Sequence, residues 1–161
     1  MNKTILTVTL LATVCVSAFS QSAKKPSVVI MPFDAKGGVA QEDCDIVTDI
    51  FESEYVSAGN STVVNRSTLS KIQAEQKFQT SDWSNSNKTA KLCEALNAQQ
   101  IVSGQIRLYN GLLFFNVQVQ DIRTLAMLAS VNMRVESTMQ LLDKIPDICK
   151  DLAGQVGGTS K

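Results

Sequence analysis

Residues 61–79 set the strongest limit on the fold. A β-branched run, Thr62-Val63-Val64, stops at Asn65-Arg66-Ser67, and a helix-forming stretch carrying Leu69, Ile72 and Phe78 follows with no spacer. A strand that hands over directly to a helix is the joint of an α/β unit. Ser67 is predicted to cap that helix by accepting a free backbone amide of its first turn.

The flanking sequence extends this pattern. Val28-Val29-Ile30-Met31 is a continuous apolar run ended by Pro32, which suits a strand covered on both faces. Residues 34–42, with Gly37-Gly38, are predicted as a loop. Asp43 is predicted to cap a helix to about residue 58, with Ile46, Val47, Ile50, Phe51 and Val56 on its buried stripe and Gly59 ending it. Residues 79–87 are polar and turn-rich around Trp83, and Asn87 or Thr89 opens a helix through Leu92 and Leu96. A strand over 101–109 then meets Asn110-Gly111, a pair that tolerates the positive φ of a tight hairpin. In the return strand Leu113, Phe115, Val117 and Val119 alternate with Asn116, Gln118 and Gln120. A turn over 121–125 and a last strand over 126–136, with Val131, Met133 and Val135 on one face, lead to a closing helix from Thr138 through Leu152. Pro146 is expected to kink or break that helix. The order β-α-β-α-α-β-β-β-α predicts an α/β (α+β) domain: one mixed sheet, helices packed on it, crossovers early and an antiparallel meander late.

The ends read differently. Asn2-Lys3, the apolar run from Thr4 to Val16 and Ala18-Phe19-Ser20 follow the order of an export signal cleaved before Gln21. The expected organisation is a signal peptide at 1–20, a linker at 21–27, the α/β domain at 28–153 and a flexible tail at 154–161. This places the mature chain in the periplasm with no transmembrane segment. A rival reading is lipidation at Cys15 in Ala12-Thr13-Val14-Cys15, which would make it an outer-membrane lipoprotein. Cys44, Cys93 and Cys149 are odd in number, so one at least is free or pairs between molecules. Buried apolar roles are expected ahead of redox roles, because no Cys-x-x-Cys occurs.

Fifteen basic and fifteen acidic side chains balance, with no long run of one sign. Nothing in that pattern drives binding to a nucleic acid or an anionic bilayer. The chain has no histidine, which removes the commonest general base and the commonest metal ligand. Thr68-Leu69-Ser70-Lys71, Ser81-Asp82-Trp83 and Lys88-Thr89-Ala90 each miss a residue of the serine acyl-transferase signatures. The glycine pairs lack the lysine and helix of a phosphate loop. Asp43, Asp45, Glu52 and Glu54 are the carboxylates a hydrolase would need, but acids early in a helix also suit its dipole. No catalytic, metal or cofactor site is expected.

Two residues are candidates for partner binding. Arg66 lies at a helix start, where a cation is mildly unfavourable; either an ion pair, with Asp34 as the expected neighbour, or a partner contact would offset this. Trp83, the only tryptophan, is either a binding hot spot or a lid folded over a small core.

Val28-Val29-Ile30-Met31-Pro32-Phe33, Val63-Val64-Asn65-Arg66-Ser67 and Ala98-Gln99-Gln100-Ile101-Val102-Ser103-Gly104 carry a resemblance to a known family. The chain resembles the envelope domain shared by the curli-secretion protein CsgG and the penicillin-binding-protein activator LpoB, and is similar to the N-terminal domain of TolB. Cys93 stands where that family usually has glycine. The resemblance implies a non-enzymatic periplasmic protein-binding module acting on a penicillin-binding protein in peptidoglycan synthesis. The alternative it implies is an accessory part of a curli-type secretion assembly. A carboxylate-dependent hydrolase is the reading from another class. No hairpin is left over for a pore, and a tether from Cys15 to Ser27 would reach only about 40 Å.

Overall fold

A computed structural model describes residues 25–79, 82 and 85–158. Ten elements follow the chain: β1 Ser27–Ile30, β2 Asp34–Lys36, α1 Gln41–Ala58, β3 Thr62–Val63, α2 Arg66–Glu75, α3 Ser86–Ala95, β4 Gln100–Tyr109, β5 Leu112–Asp121, β6 Met127–Val135 and α4 Thr138–Gly158. They build the mixed α/β fold expected from the sequence, with one added strand. The sheet runs β3-β1-β4-β5-β6. Its first three strands are parallel, and β4, β5 and β6 form the antiparallel meander.

The added strand, β2, replaces the loop expected over 34–42. It pairs in parallel with the second half of β4, while β1 pairs with the first half. The two short strands are thus one sheet position interrupted at Met31-Pro32-Phe33. Periodicity could not reveal β2, because its three residues are too few to show an alternation.

The helices divide between the two faces. α1 and α4 cover one face over a core that includes Val28, Ile30, Phe33, Phe51, Val102, Phe115, Ile145 and Leu152. α2 and α3 cover the other face only above β3, β1 and the start of β4, around Val29, Met31, Leu69, Leu92 and Leu96. β1 is therefore buried on both faces, as its unbroken apolar run predicts. Phe33 is the pivot of the larger core. Its ring meets Phe51 and Phe115 edge-on, each at 5.2 Å. Its amide donates to the Thr48 hydroxyl at 3.1 Å, and that hydroxyl donates to the Cys44 carbonyl at 2.7 Å.

Several local expectations are corrected. α1 begins at Gln41 with no side-chain cap, so Asp43 lies inside the helix. Its buried face is Cys44, Val47, Thr48, Phe51 and Tyr55, while Ile46 and Val56 point to solvent. A polar Thr48 is kept inside by its two hydrogen bonds, which rotates the stripe away from the apolar count. Gly59 does end the helix, at φ 76°. The cap of α2 is Asn65, whose Oδ1 accepts from the amide and the hydroxyl of Ser67. Asn85 caps α3 in the same way. α4 passes through Pro146 as one helix and runs to Gly158, beyond the fraying expected at residue 154. A helix-interior proline costs about 3 kcal/mol; complete burial of Ile145, Ile148, Cys149 and Leu152 offsets it here. The Asn110-Gly111 hairpin is present, with φ of 49° and 76°.

Candidate functional site

The uneven helix cover leaves the meander half of one face open. No helix among the described residues lies over β5, β6 and the end of β4 on that side. Strand alternation and register sort its side chains into cross-strand rows. Ser103, Gln118 and Ser130 form one row, and Asp34, Gln105, Asn116 and Asn132 the next. Lys36, Arg107, Phe114 and Arg134 form the row nearest the hairpin end. Within the rows Gln118 donates to the Ser103 hydroxyl at 3.2 Å, and Asn116 donates to Asn132. Amides and hydroxyls fixed in this way can meet the backbone of another polypeptide without burying an unpaired group.

Where this open half meets α2 and α3, a cleft of about 640 Å³ opens. Met31 and Ile101 give it apolar walls, Ser103 and Gln120 give it polar ones, and Leu125 forms part of the rim. Leu125 holds a left-handed φ of 59° and is exposed. Asp121 sets that rim: its Oδ1 accepts from the amides of Arg123 and Thr124 at 3.0 and 2.7 Å and from the Thr124 hydroxyl at 2.9 Å. These donors, the Thr124 amide first, hold its carboxyl below the usual carboxylate range. Asp121 therefore stays ionised and builds the turn. A second groove of about 770 Å³ shares Ala90, Asp121 and Ile122 with the cleft and continues it along α3.

The residues weighed from sequence do not converge on this cleft. Arg66 makes an ion pair with Asp49 of α1, in place of the Asp34 expected. The reason is that Asp34 lies on β2, beyond the interruption at Met31-Pro32-Phe33 and paired only with β4, whereas the start of α2 follows β3, which pairs only with β1. Asp43, Asp45, Glu52 and Glu54 do not line the cleft. Burial raises the Glu52 carboxyl, but it lies on α1 and not in the cleft, whose own carboxylates are Asp34 and Asp121. Trp83 and Cys15 lie outside the described residues.

Cys44, Cys93 and Cys149 are buried free thiols. Burial, with Asp45, Asp43 and Asp34 adding to it, pushes the Cys44 thiol up to about 11. Burial takes Cys93 to about 11, and burial together with Glu54 takes Cys149 to about 12. Such thiols stay protonated and unreactive at neutral pH. Among the described residues no group of histidine, cysteine and carboxylate side chains could hold a metal ion, and no helix is long and apolar enough to cross a membrane.

Residues 7–111 match the family model described as curli production assembly/transport component CsgG. Solved structures share the fold at low identity. The C-terminal domain of LpoB from Salmonella enterica aligns with a TM-score of 0.59 at 12% identity, covering 73% of this chain and 87% of that one. The lipoprotein GNA1162 from Neisseria meningitidis aligns at 0.61 and 10% identity, covering 84% and 99%. A PelC dodecamer from Paraburkholderia phytofirmans aligns at 0.52 and 10% identity, covering 81% and 88%. By sequence alone, no curated protein matches significantly.

Proposed function

The chain belongs to the CsgG family, and on that premise we propose that it is a non-enzymatic module of the bacterial envelope that binds another envelope protein. The observation that carries this reading is the half-open sheet face, whose amide and hydroxyl rows run into an apolar-walled cleft. A surface of that kind binds; none of the three buried thiols lines the cleft, and its carboxylates are Asp34, on β2, and Asp121, which builds the turn. The likeness in fold to LpoB makes a peptidoglycan synthase the first partner to test. Binding there would change the synthase only if the module held its active and inactive states with different affinity. Arg66 and Trp83 are the contact residues proposed from sequence. Export rests on residues 1–20, with cleavage before Gln21 or lipidation at Cys15. Intact-mass measurement on the protein from envelope fractions separates those two.

The family match itself favours a second reading, an accessory component of a curli-type secretion assembly. One experiment addresses both: immobilise the purified chain and measure binding of a purified bifunctional peptidoglycan synthase and of a curli-type secretion channel. Saturable binding of the synthase, with a change in its glycan polymerisation rate, supports the first reading. Binding of the channel alone replaces it with the second. Turnover of isolated cell wall by the chain by itself would refute both.

A further inference from the structure

The two edges of the sheet are finished differently. β3 closes one edge with only two residues, a length that blunts it. β6 closes the other, and from Ala129 to Val135 its pairing with β5 runs without a bulge. That stretch holds no proline and no lysine, the residues that commonly protect an exposed edge.

α4 reaches over this edge at two points. At Ser130 the Gln155 side chain stands in for a neighbouring strand. Its Oε1 accepts from the Ser130 amide at 3.1 Å, and its Nε2 donates to the Ser130 carbonyl at 3.3 Å. The Gln140 Oε1 accepts from the Glu136 amide at 2.8 Å. Backbone groups alternate sides along a strand, so Asn132 and Arg134 face outward as Ser130 and Glu136 do. Among the described residues nothing bonds the N–H and C=O groups of these two. The edge is stopped at both ends and open between them.

The side chains around this window define what fits it. Asn132 and Arg134 are exposed, and Arg134 ends the cross-strand row of Lys36 and Arg107. Among the described residues none of these three cations takes part in an ion pair. Met133, between Asn132 and Arg134, points to the other face and packs half-buried against the larger core.

We propose that β6 takes an extended segment of the partner as a further antiparallel strand, paired at Asn132 and Arg134. Antiparallel pairing continues the β4–β5–β6 meander, and each outward residue then exchanges an N–H and a C=O with one residue of the guest. The guest presents a carboxylate opposite Arg134, a polar residue opposite Asn132 and an apolar residue opposite Met133. Gln155 and Gln140 set the length of the window. The inference deepens the proposed function and rests on its reading that this side of the molecule meets another polypeptide.

Amide exchange followed by NMR tests it, on the chain alone and with a short blocked peptide of alternating glutamate and valine. In the free chain the Asn132 and Arg134 amides are expected to exchange fast, and the Val131 and Met133 amides, which face β5, slowly. The peptide is expected to protect Asn132 and Arg134. N-methylation of its glutamates, whose amides face β6, should abolish binding, and N-methylation of its valines should not. Asn132→Pro removes an outward N–H where an edge strand tolerates proline; it is expected to bind about tenfold more weakly, while Asn132→Ala binds like the wild type. Gln155→Ala frees the Ser130 groups and is expected to bind about tenfold more tightly, which loss of a merely structural glutamine would not do. Circular dichroism checks that the variants keep the fold. Protection of both amides in the chain alone, no binding of the parent peptide, or equal binding of the two methylated peptides would each overturn the proposal. Synthase or channel binding by Asn132→Pro at wild-type strength would also overturn it and leave the envelope-partner reading standing. Peptide binding at β6 by a chain that binds neither assembly would remove that reading and leave the edge site.

Discussion

Replacing Gly104 with alanine sets two rules against each other. Glycine weakens a strand, and by local preference alone Gly104→Ala should stabilise β4 by about 0.5–1 kcal/mol. The packing demands the opposite. A Cβ at Gly104 would lie 2.7 Å from the Asn116 carbonyl oxygen and 2.9 and 3.0 Å from two ring carbons of Phe33. Neither neighbour can give way. The Asn116 oxygen belongs to the β4–β5 ladder, and the Phe33 ring is wholly buried between Phe51 and Phe115. Overpacking of this kind costs about 1–3 kcal/mol. We expect a net loss of about 2 kcal/mol in urea unfolding, and a fall of about 8 °C in Tm for a domain of this size. Phe33→Leu removes the ring that the methyl group meets. The double variant should therefore lose about 1 kcal/mol less than the two single losses added together. A Gly104→Ala protein as stable as the wild type, or more so, would refute the claim that Phe33 fixes the gap between β4 and α1.

Arg66→Ala should change stability by less than about 1 kcal/mol, because its pair with Asp49 is solvent-exposed; loss of partner binding with unchanged stability in that variant would make Arg66 a contact residue. Gln100 is 7% exposed and its Oε1 has no hydrogen-bond partner among the described residues. Gln100→Met should raise stability by about 1 kcal/mol in thermal unfolding, and a loss would show that the oxygen is satisfied in solution. Cys44, Cys93 and Cys149 should resist a thiol reagent at pH 8 until the chain is denatured, and rapid labelling of the native protein would contradict their burial. Because their folded values are raised above the ordinary 9.0, the unfolded chain loses protons first as pH rises. Stability should thus fall between about pH 9 and 11, by up to ~1.4 kcal/mol per pH unit for each thiol. Urea midpoints that hold constant across that range would contradict the sign.

Much of the fold was legible because its signals are local. The apolar run Val28-Val29-Ile30 announces a strand covered twice, Gly59 stops α1 and Asn110-Gly111 turns the hairpin. The failures have physical causes. Thr48 is buried because its hydroxyl joins Phe33 to Cys44, a bond between residues 15 apart that no helical stripe encodes. α4 survives Pro146 through burial against the sheet, which outweighs local propensity. The site was harder to read. Lys36, Arg107 and Arg134 come from three separate strands, so a balanced and scattered charge count hides their row. The open face follows from the placement of helices, and a sequence of elements does not state which half of a sheet they leave bare.

On the function proposed above, this bare half binds another envelope protein. A photo-crosslinking residue at Gln118, in the middle of the open rows, tests it in intact cells, with the same residue at exposed Lys144 on α4 as the control. Gln118 is expected to trap one other envelope protein and Lys144 to trap none. If Gln118 yields no adduct while Lys144 does, the binding face is the α1–α4 side and the claim fails.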